Sequence, residues 1–298
     1  MANGLGAYSD LFRLENSITG LIGVGLGALV VNGTEISIDQ GVIISSYGMS
    51  VMCFMFSWNA YNDITDIGTD MSNRPERPLP SGRLTLREAT IAMKASLIFS
   101  VLFLLIGALK LSDSMVDESV IVSIGIWILA IFLLISYEGV RGNSGLKHRG
   151  LIGNVAIAAA IGMDVLFGAS AVSGTTDPKV ISLAIMAILF SLAREIIKDI
   201  EDMGGDIDRN TLPRSIGVDN ARSIAWVFTM AAFVSLFLPF ILEVFPTEHA
   251  ILVFPGGLLL MLVKSKLFLG EDRAAQRLIK RSLQISMVAV ITSAIIIG

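Results

Sequence analysis

The sequence predicts an all-α integral membrane protein with nine transmembrane helices, and three observations lead to this prediction. First, the 298 residues are 53% apolar and only 16% charged, with a mean hydropathy of +0.73, which is too apolar for a soluble domain of this length. Second, nine apolar segments are long enough to cross a bilayer. Third, the basic residues fall almost entirely on one side of the resulting topology.

The nine apolar segments hold about 15 to 25 residues each, the length that spans a bilayer as a helix. They lie at 17–32, 41–61, 88–110, 119–137, 151–172, 179–198, 221–243, 250–269 and 279–297. The first is short and rich in glycine, so we expect its helix to begin nearer Leu11. Gly23 and Gly27 in this segment form a G-x-x-x-G pair, which indicates close helix packing more often than ligand contact.

The basic residues predict the orientation. Of the 22 Lys and Arg residues, all but Lys110 and Lys179 fall on one side of the nine-helix topology. By the positive-inside rule, the N-terminus and the long loops at 62–87 and 199–220 are then cytoplasmic, and the C-terminus is outside. The charged residues ahead of the first apolar run do not resemble a cleaved signal peptide. We therefore expect a multi-pass protein of the cell membrane.

Composition excludes several kinds of site. Cys53 is the single cysteine, so neither a disulfide nor a thiolate metal cluster is available within the chain. His148 and His249 lie far apart in sequence and give no metal-ligand spacing. The net charge of −4 says little by itself, and we expect no nucleic acid as a partner.

An acidic pattern occurs twice, once in each long loop region. The first copy is Asn59, Asp63, Asp66 and Asp70, and the second copy, displaced by 136 positions throughout, is Glu195, Asp199, Asp202 and Asp206. Steps of three and four residues keep the members of each copy on one face of a helix. A solvated acidic turn is the simpler interpretation of one copy, but two copies in the same register favour a site. Mg²⁺, which carboxylates and substrate phosphates commonly share, is the obvious cation for it.

The displacement of 136 residues spans four predicted helices, so the two copies have the same orientation and face each other across one cytoplasmic mouth. R-P-L-P-S-G at 77–82 continues the first copy much as T-L-P-R-S-I-G at 211–217 continues the second. We therefore expect one domain, 1–298, made of pseudo-repeats at about 11–139 and 151–270 and a last helix at 279–297. Transporters built from inverted repeats would place the copies in opposite orientations.

Basic side chains near both copies suit a diphosphate bridged by Mg²⁺, because they supply charge-assisted hydrogen bonds to its oxygens. The candidates are Arg13, Arg74, Arg77, Lys147, Arg149, Arg194, Lys198 and Arg209. For any one of them the alternative is a topological role or contact with lipid headgroups. A diphosphate site in a membrane suits a substrate with a polar head and an apolar tail. An allylic diphosphate ionises to a carbocation that water would quench, so a dry pocket indicates prenyl transfer.

Three motifs resemble the signatures of the UbiA superfamily of intramembrane prenyltransferases: N-D-x-x-D-x-x-x-D at 62–70, N-R-P-E-R-P-L-P-S-G at 73–82 and K-D-I-E-D-M-G-G-D at 198–206. The resemblance covers nearly the whole chain. It implies a helical bundle around a central cavity, capped by cytoplasmic loops and open sideways to lipid. It also implies two Mg²⁺ ions and a prenyl diphosphate, held by Asn62, Asp63, Asp66, Asp70, Asp199, Asp202 and Asp206.

The resemblance extends to the substrates. The expected substrate-binding residues are Arg13, Asn16, Asn59, Asn62, Arg74, Arg77, Tyr137, Lys147, Arg149, Arg194 and Lys198. The runs at 194–202 and 146–154 are most similar to archaeal members that make ether lipids, which implies geranylgeranyl transfer to a lipid phosphate acceptor. Arg194, where many quinone-type members carry tyrosine, would suit an acceptor with its own phosphate. The alternatives are an aromatic acceptor of a quinone, chlorophyll or haem pathway and, in another class, a cation transporter.

Two features depart from a simple assignment. The loop from Tyr137 to Arg149 contains an extra G-V-R-G-N-S-G stretch, so the resemblance alone does not place Lys147 and Arg149 on the diphosphate. Asp164 falls inside the fifth predicted helix, where an ionisable residue is a functional candidate. A neutral, hydrogen-bonded Asp164, or one nearer the interface, is the equal alternative. No general base is identifiable in the sequence.

Overall fold

The computed structural model describes residues 2–112, 114–139, 145–204 and 209–297. These residues form thirteen α-helices and two short 3-10 helices, and they contain no β-strand. The helices α1 to α13 are, in order, Ala2–Leu11, Leu14–Asn32, Ile38–Thr65, Ile67–Asn73, Leu86–Leu111, Glu118–Glu138, Leu151–Ser170, Pro178–Asp202, Leu212–Ile216, Val218–Ser235, Leu238–Ile241, Phe254–Phe268 and Asp272–Ile297. The 3-10 helices are Leu146–His148 and Thr247–Val253.

Nine helical segments of the described chain are long and apolar enough to cross a membrane, which confirms the predicted count. They are Leu14–Asn32, Ile38–Thr65, Leu86–Leu111, Glu118–Glu138, Leu151–Ser170, Pro178–Asp202, Val218–Ile241, Thr247–Phe268 and Asp272–Ile296. Large apolar side chains on these segments are exposed, and Phe132 is 62% exposed. Such surfaces suit lipid as the surrounding solvent, so the chain is a multi-pass membrane protein.

Two predicted helices are composite. The segment predicted at 221–243 consists of α10 and the short α11, and the segment predicted at 250–269 consists of a 3-10 turn followed by α12. Pro239 and Pro255 are the second residues of α11 and α12. Proline has no N–H to donate and is tolerated only at the start of a helix, so each proline marks a new beginning.

The first compact unit of the chain comprises Met1–Gly25 and Ser37–Ile124, and its largest packing is that of α3 on α5. The hydroxyl of Ser50 donates to the carbonyl oxygen of Ser100, and the hydroxyl of Ser100 donates to the carbonyl oxygen of Ser50, both at 2.8 Å. At Gly107 an added Cβ would lie 2.5 Å from the ring of Tyr47, so glycine permits the close approach of the two helices.

Helix α1 lies against the segment that carries the first motif and its continuation. A buried apolar cluster joins them, formed by Ala7, Leu11, Ala60, Leu79, Leu84 and Ala89. At the surface, Nη1 of Arg83 lies 2.7 Å from Oδ2 of Asp10. Helix α1 is therefore fixed both to the end of α3 and to the turn that precedes α5.

The second compact unit comprises Leu26–Ile36 and Gly125–Gly298, with α8 packed against α7, α10 and α13. Phe190, Ile196 and Ile197 of α8 are fully buried in its core. At Gly27 an added Cβ would lie 1.9 Å from the carbonyl oxygen of Val165, which confirms close helix packing there. The pseudo-repeats at about 11–139 and 151–270 stay a prediction.

Candidate active site

The first acidic motif lies where α3 gives way to α4. Asp66 ends α3 and begins α4, and i to i−4 bonding continues through it. The N–H of Asp66 donates to the carbonyl of Asn62 at 2.9 Å, and the N–H of Asp70 donates to that of Asp66 at 2.8 Å. Because the chain stays nearly helical across this junction, Asp63 and Asp70 lie on the same side, as their spacing predicts.

Arg77 brings two of the carboxylates together. Its Nη1 atom lies 3.2 Å from Oδ1 of Asp63 and 2.5 Å from Oδ2 of Asp70. Arg13 adds a second guanidinium, with Nη2 at 3.0 Å from the same Oδ1 of Asp63. Both carboxylates are buried, Asp63 to 2% exposure, and buried charges persist only when they are paired. The guanidinium of Arg77 thus stands between carboxylates that were predicted to share a cation.

The electrostatics of Asp70 reflect this setting. Burial raises the pKa of the Asp70 carboxyl, and the neighbouring charges of Asp63 and Asp66 raise it further, whereas the Arg77 guanidinium lowers it. The net direction is upward, so burial outweighs the ion pair.

The two asparagines of the first motif differ in their contacts. Asn59 is buried, and its Nδ2 donates to the carbonyl oxygen of Phe12 at 3.0 Å. The Oδ1 atom of Asn62 is buried and has no hydrogen-bond partner in the described chain. An unpaired buried oxygen, on the residue that precedes Asp63, is a ligand type that suits a hard cation. Among the described residues, however, no three His, Cys, Asp or Glu side chains are grouped as a metal site.

The second motif lies at the end of α8. Glu195 is buried, and Nζ of Lys198 lies 3.1 Å from its Oε2. Asp199 and Asp202 are half-buried on the last turns of the helix. Asp206, predicted to complete the motif, lies outside the described residues.

Arg194 is half-buried and has no hydrogen-bond or ion-pair partner in the described part of the chain. An arginine is a poor residue to bury without an anion, because its charge is then left uncompensated. Its guanidinium is therefore available to an anionic ligand.

Tyr137 lies near the second motif, and Lys147 is paired with the residue that follows Tyr137. The Tyr137 hydroxyl interacts electrostatically with the charges of Glu195, Asp199 and Arg209. The Nζ atom of Lys147 donates to Oε1 of Glu138, which follows Tyr137 at the end of α6.

The loop that carries Lys147 is attached to the segment after the second motif, since the N–H of Gly150 donates to the carbonyl of Asn210 at 3.1 Å. Gly150 has a φ of +54°, a conformation that favours glycine. The neighbouring Arg149 is exposed.

The structure places the remaining predicted residues as follows. Arg74 ends α4, and its N–H donates to the carbonyl of Asp70 at 2.9 Å. Asn16 is half-buried in the first turn of α2. Asp164 is half-buried in α7, and no hydrogen bond or ion pair joins it to any residue that the structure describes. The hydrogen-bonded alternative for Asp164 therefore finds no support in these contacts.

Three polar residues outside the predicted ligand and substrate-binding sets make side-chain contacts next to them. Glu138 holds Lys147, and its position at the end of an apolar run could have suggested it. Ser17 donates to the carbonyl of Phe12 at 2.9 Å, but a lone serine in an apolar helix gives no indication of such a contact. Glu201, beside Asp202, accepts instead from Arg273 at 2.9 Å and from Gln276 at 2.6 Å.

The family of the chain follows from its similarity to known proteins. Residues 20–288 match the UbiA prenyltransferase family over most of the chain. The chain belongs to the UbiA prenyltransferase family. The superfamily predicted from the motifs is thereby confirmed, and with it an enzyme of the prenyltransferase class.

Two curated UbiA relatives show how far the likeness extends. The digeranylgeranylglyceryl phosphate synthase of Methanopyrus kandleri is 30% identical over 96% of this chain and 98% of its own length. The synthase of the same name from Thermococcus gammatolerans is 34% identical over 79% of this chain and 78% of its own.

Solved structures share the fold. A structure of digeranylgeranylglyceryl phosphate synthase is 29% identical, with a TM-score of 0.65 over 99% of both chains. A UbiA homologue from Aeropyrum pernix K1 is 18% identical, with a TM-score of 0.68 over 96% of this chain and 98% of that one. A UbiA homologue from Archaeoglobus fulgidus bound to DMAPP and Mg²⁺ is 16% identical, with a TM-score of 0.60 over 96% and 99%. At these last two identities the likeness shows the fold alone.

Proposed function

We propose that this chain is an Mg²⁺-dependent prenyltransferase that moves the geranylgeranyl group of geranylgeranyl diphosphate to the hydroxyl of geranylgeranylglyceryl phosphate. The product would carry the second ether bond of an archaeal membrane lipid. The observation that carries this proposal is the near full-length match to a relative named digeranylgeranylglyceryl phosphate synthase. The Archaeoglobus fulgidus homologue, bound to DMAPP and Mg²⁺, supports a prenyl diphosphate donor and a divalent cation.

The metal would be held by oxygen ligands of both motifs, with two ions in the complete site. The ligands we assign are Asn62, Asp63, Asp66, Asp70, Asp199, Asp202 and Asp206. The unpaired buried Oδ1 of Asn62 and the carboxylates gathered by Arg77 support the first half of this set. When bound, Mg²⁺ neutralises the diphosphate and stabilises it as a leaving group.

Arginines of the first unit would then change partners. Arg13 pairs with Asp63, and Arg77 pairs with both Asp63 and Asp70; a cation bound by these carboxylates would share that compensating role. The two guanidiniums are thereby free to donate to diphosphate oxygens, where hydrogen bonds between charged groups are strong.

The chemistry breaks the bond between C1 of the prenyl chain and the diphosphate oxygen, and the electron pair leaves with the diphosphate. The glycerol hydroxyl oxygen forms the new bond to C1 of the allylic cation and gives up its proton to the departing diphosphate or to solvent. Apolar surroundings keep water from the cation.

Arg194 supports the choice of acceptor. Its half-buried guanidinium has no partner in the described chain and would suit the phosphate of a lipid acceptor. An aromatic acceptor does not in general require a cationic side chain there. We expect Arg194→Tyr to raise the KM for geranylgeranylglyceryl phosphate about tenfold or more, as loss of a charge-assisted hydrogen bond does. The KM for geranylgeranyl diphosphate should change far less.

We further propose that the site opens to the cytoplasm, with the N-terminus inside and the C-terminus outside. The distribution of Lys and Arg supports this orientation. Reporter fusions at the two termini would test it, and equal cytoplasmic activity of both fusions would overturn it.

The assay that tests the reaction uses membranes with labelled geranylgeranyl diphosphate and Mg²⁺. Geranylgeranylglyceryl phosphate and 4-hydroxybenzoate are offered side by side. Ether product from the lipid phosphate, abolished by EDTA, is the expected result. Product from the aromatic acid alone would overturn the acceptor and keep prenyl transfer.

A further inference from the structure

The break between α1 and α2 places Arg13 in an uncommon backbone conformation. Arg13 has a φ of +46°, in the left-handed region that a residue other than glycine rarely adopts. Such strain persists only where the surroundings hold it, and it is concentrated at functional sites. Arg13 is also the residue whose Nη2 atom lies 3.0 Å from the buried carboxylate of Asp63.

The break leaves one backbone acceptor outside the helical pattern. The N–H groups of Asn16 and Ser17 both donate to the carbonyl of Arg13, at 2.9 and 3.1 Å, so neither reaches the carbonyl of Phe12. A carbonyl left unpaired at a helix end needs another donor. The Phe12 carbonyl has two, Nδ2 of Asn59 at 3.0 Å and Oγ of Ser17 at 2.9 Å.

Both donors are held in place themselves. Ser17 is fully buried and Asn59 is 8% exposed. Asn59 lies on α3 one turn before Asp63, so the same helix that carries the carboxylate also anchors the break. The ring of Phe12 stacks on Phe56, also on α3, with centroids 4.5 Å apart and an interplanar angle of 19°. Two contacts therefore fix Phe12 against α3, and a third, from Ser17, fixes it from α2.

We propose that Asn59 and Ser17 are positioning residues that hold the Phe12–Arg13 break, and through it the guanidinium of Arg13, beside the diphosphate site. Asn59 then acts through Arg13 and does not contact substrate. This inference rests on the proposed function for the identity of the ligand. It revises the expectation from sequence that Asn59 belongs to the binding set.

The test is a double-mutant cycle on binding. Purified protein in detergent with Mg²⁺ is titrated with geranylgeranyl thiolodiphosphate. In this analogue, sulfur replaces the oxygen that joins C1 of the prenyl group to phosphorus, so the prenyl group is not released. We expect Arg13→Ala and Asn59→Ala each to weaken binding about tenfold, the loss of one charge-assisted hydrogen bond. The double variant should bind no more weakly than Arg13→Ala, because the two residues act as one unit. The proposal would be overturned if the affinity losses of the two single variants multiplied in the double variant, or if Asn59→Ala bound as tightly as the wild type.

Ser50→Ala is the matched control, since it removes another buried hydrogen bond made by α3 in the same unit. It should leave binding of the thiolodiphosphate unchanged, and a loss as large as that of Asn59→Ala would overturn a specific positioning role. Ser17→Ala should weaken binding in the same direction as Asn59→Ala.

A second measurement does not depend on ligand. Glycine tolerates positive φ, so Arg13→Gly should melt at a higher temperature than Arg13→Ala. Adding Asn59→Ala to both variants removes a contact that holds the backbone at Phe12 and Arg13. The difference in melting temperature between the two variants should then decrease. An unchanged difference would contradict the anchoring role.

Failure of the proposed acceptor is distinguishable, because thiolodiphosphate binding involves no acceptor. If the wild type binds the thiolodiphosphate with a non-additive cycle but makes no ether product, the positioning role stands and the acceptor is wrong.

Discussion

The Nη1 atom of Arg77 lies 2.5 Å from Oδ2 of Asp70, seven residues back along the chain. Arg77 lies in the turn after α4, and Asp70 lies in α4 at the end of the acidic motif. Their contact gives the buried carboxylate of Asp70 a counter-charge. The pair therefore connects the turn after α4 to the acidic motif.

Arg77→Ala should destabilise the metal-free protein by roughly 3 kcal/mol, because it leaves two buried carboxylates short of a counter-charge. Thermal unfolding in EDTA measures the loss, and Mg²⁺ should recover much of it. Arg83→Ala is the matched control. Its pair with Asp10 is exposed and worth at most about 1 kcal/mol. Equal losses in the two variants would show that burial of the carboxylates is not the cause.

Asp202→Asn should lower the kcat of prenyl transfer by about a hundredfold or more. Loss of a proposed metal ligand would leave the negative charge of the departing diphosphate less well stabilised. Glu201→Gln, one residue earlier, should retain activity, since Glu201 accepts from Arg273 and Gln276. The measurement is geranylgeranyl transfer in membranes at saturating Mg²⁺. The reverse order of effects would contradict the assignment of Asp202.

The raised pKa of Asp70 sets a pH dependence for the metal-free protein. A carboxyl whose folded pKa lies above its unfolded value binds protons more tightly when folded. The folded state therefore loses stability as pH rises from the unfolded pKa through the folded one. Asp70→Asn mimics the neutral form and escapes this loss.

In EDTA, the melting temperature of Asp70→Asn minus that of the wild type should increase as pH rises through that window. Mg²⁺ should reverse the trend, because the cation favours the charged carboxylate. A difference that decreases with rising pH in EDTA would mean that the Arg77 pair outweighs burial.

Gly27→Ala should destabilise the protein by about 2 kcal/mol or more, because the new Cβ would overlap the carbonyl of Val165 and force α2 and α7 apart. Gly25→Ala on the same helix meets nothing within 4 Å and should be neutral or slightly stabilising, since alanine favours the helix over glycine. Melting temperatures of the two variants in detergent decide this. Similar losses would mean that helix flexibility, not contact, matters at both positions.

The sequence predicts the membrane-spanning helices well because apolar length alone defines them. Each of the nine predicted segments overlaps a span of the described chain. Two of them restart at Pro239 and Pro255, and the first begins at Leu14 after the separate helix α1, where the sequence predicts a start nearer Leu11. The family follows from the two acidic motifs, whose residue types and spacing are specific in combination. Both signals are local, which is why a single sequence reveals them.

The contacts of the site are less accessible to sequence reasoning. Periodicity places Asp63 and Asp70 on one side, but it cannot show that Arg77 lies between them, since that depends on the turn at 74–84. Asn59 shares the motif's face, and yet its amide is directed to the Phe12 carbonyl. Asp206 lies outside the described residues, and its predicted metal contact stays a prediction.

The seating of α1 has a consequence for the order of biosynthesis. Several residues that contact α1 are synthesised long after it. Asp10 pairs with Arg83, 73 residues later, and Leu11 packs with Leu84 and Ala89. The full set of α1 contacts can therefore form only after the start of α5 has left the ribosome. Arg13 would reach Asp63 only after the first two spanning helices have been made, so this part of the candidate site forms after membrane insertion has begun.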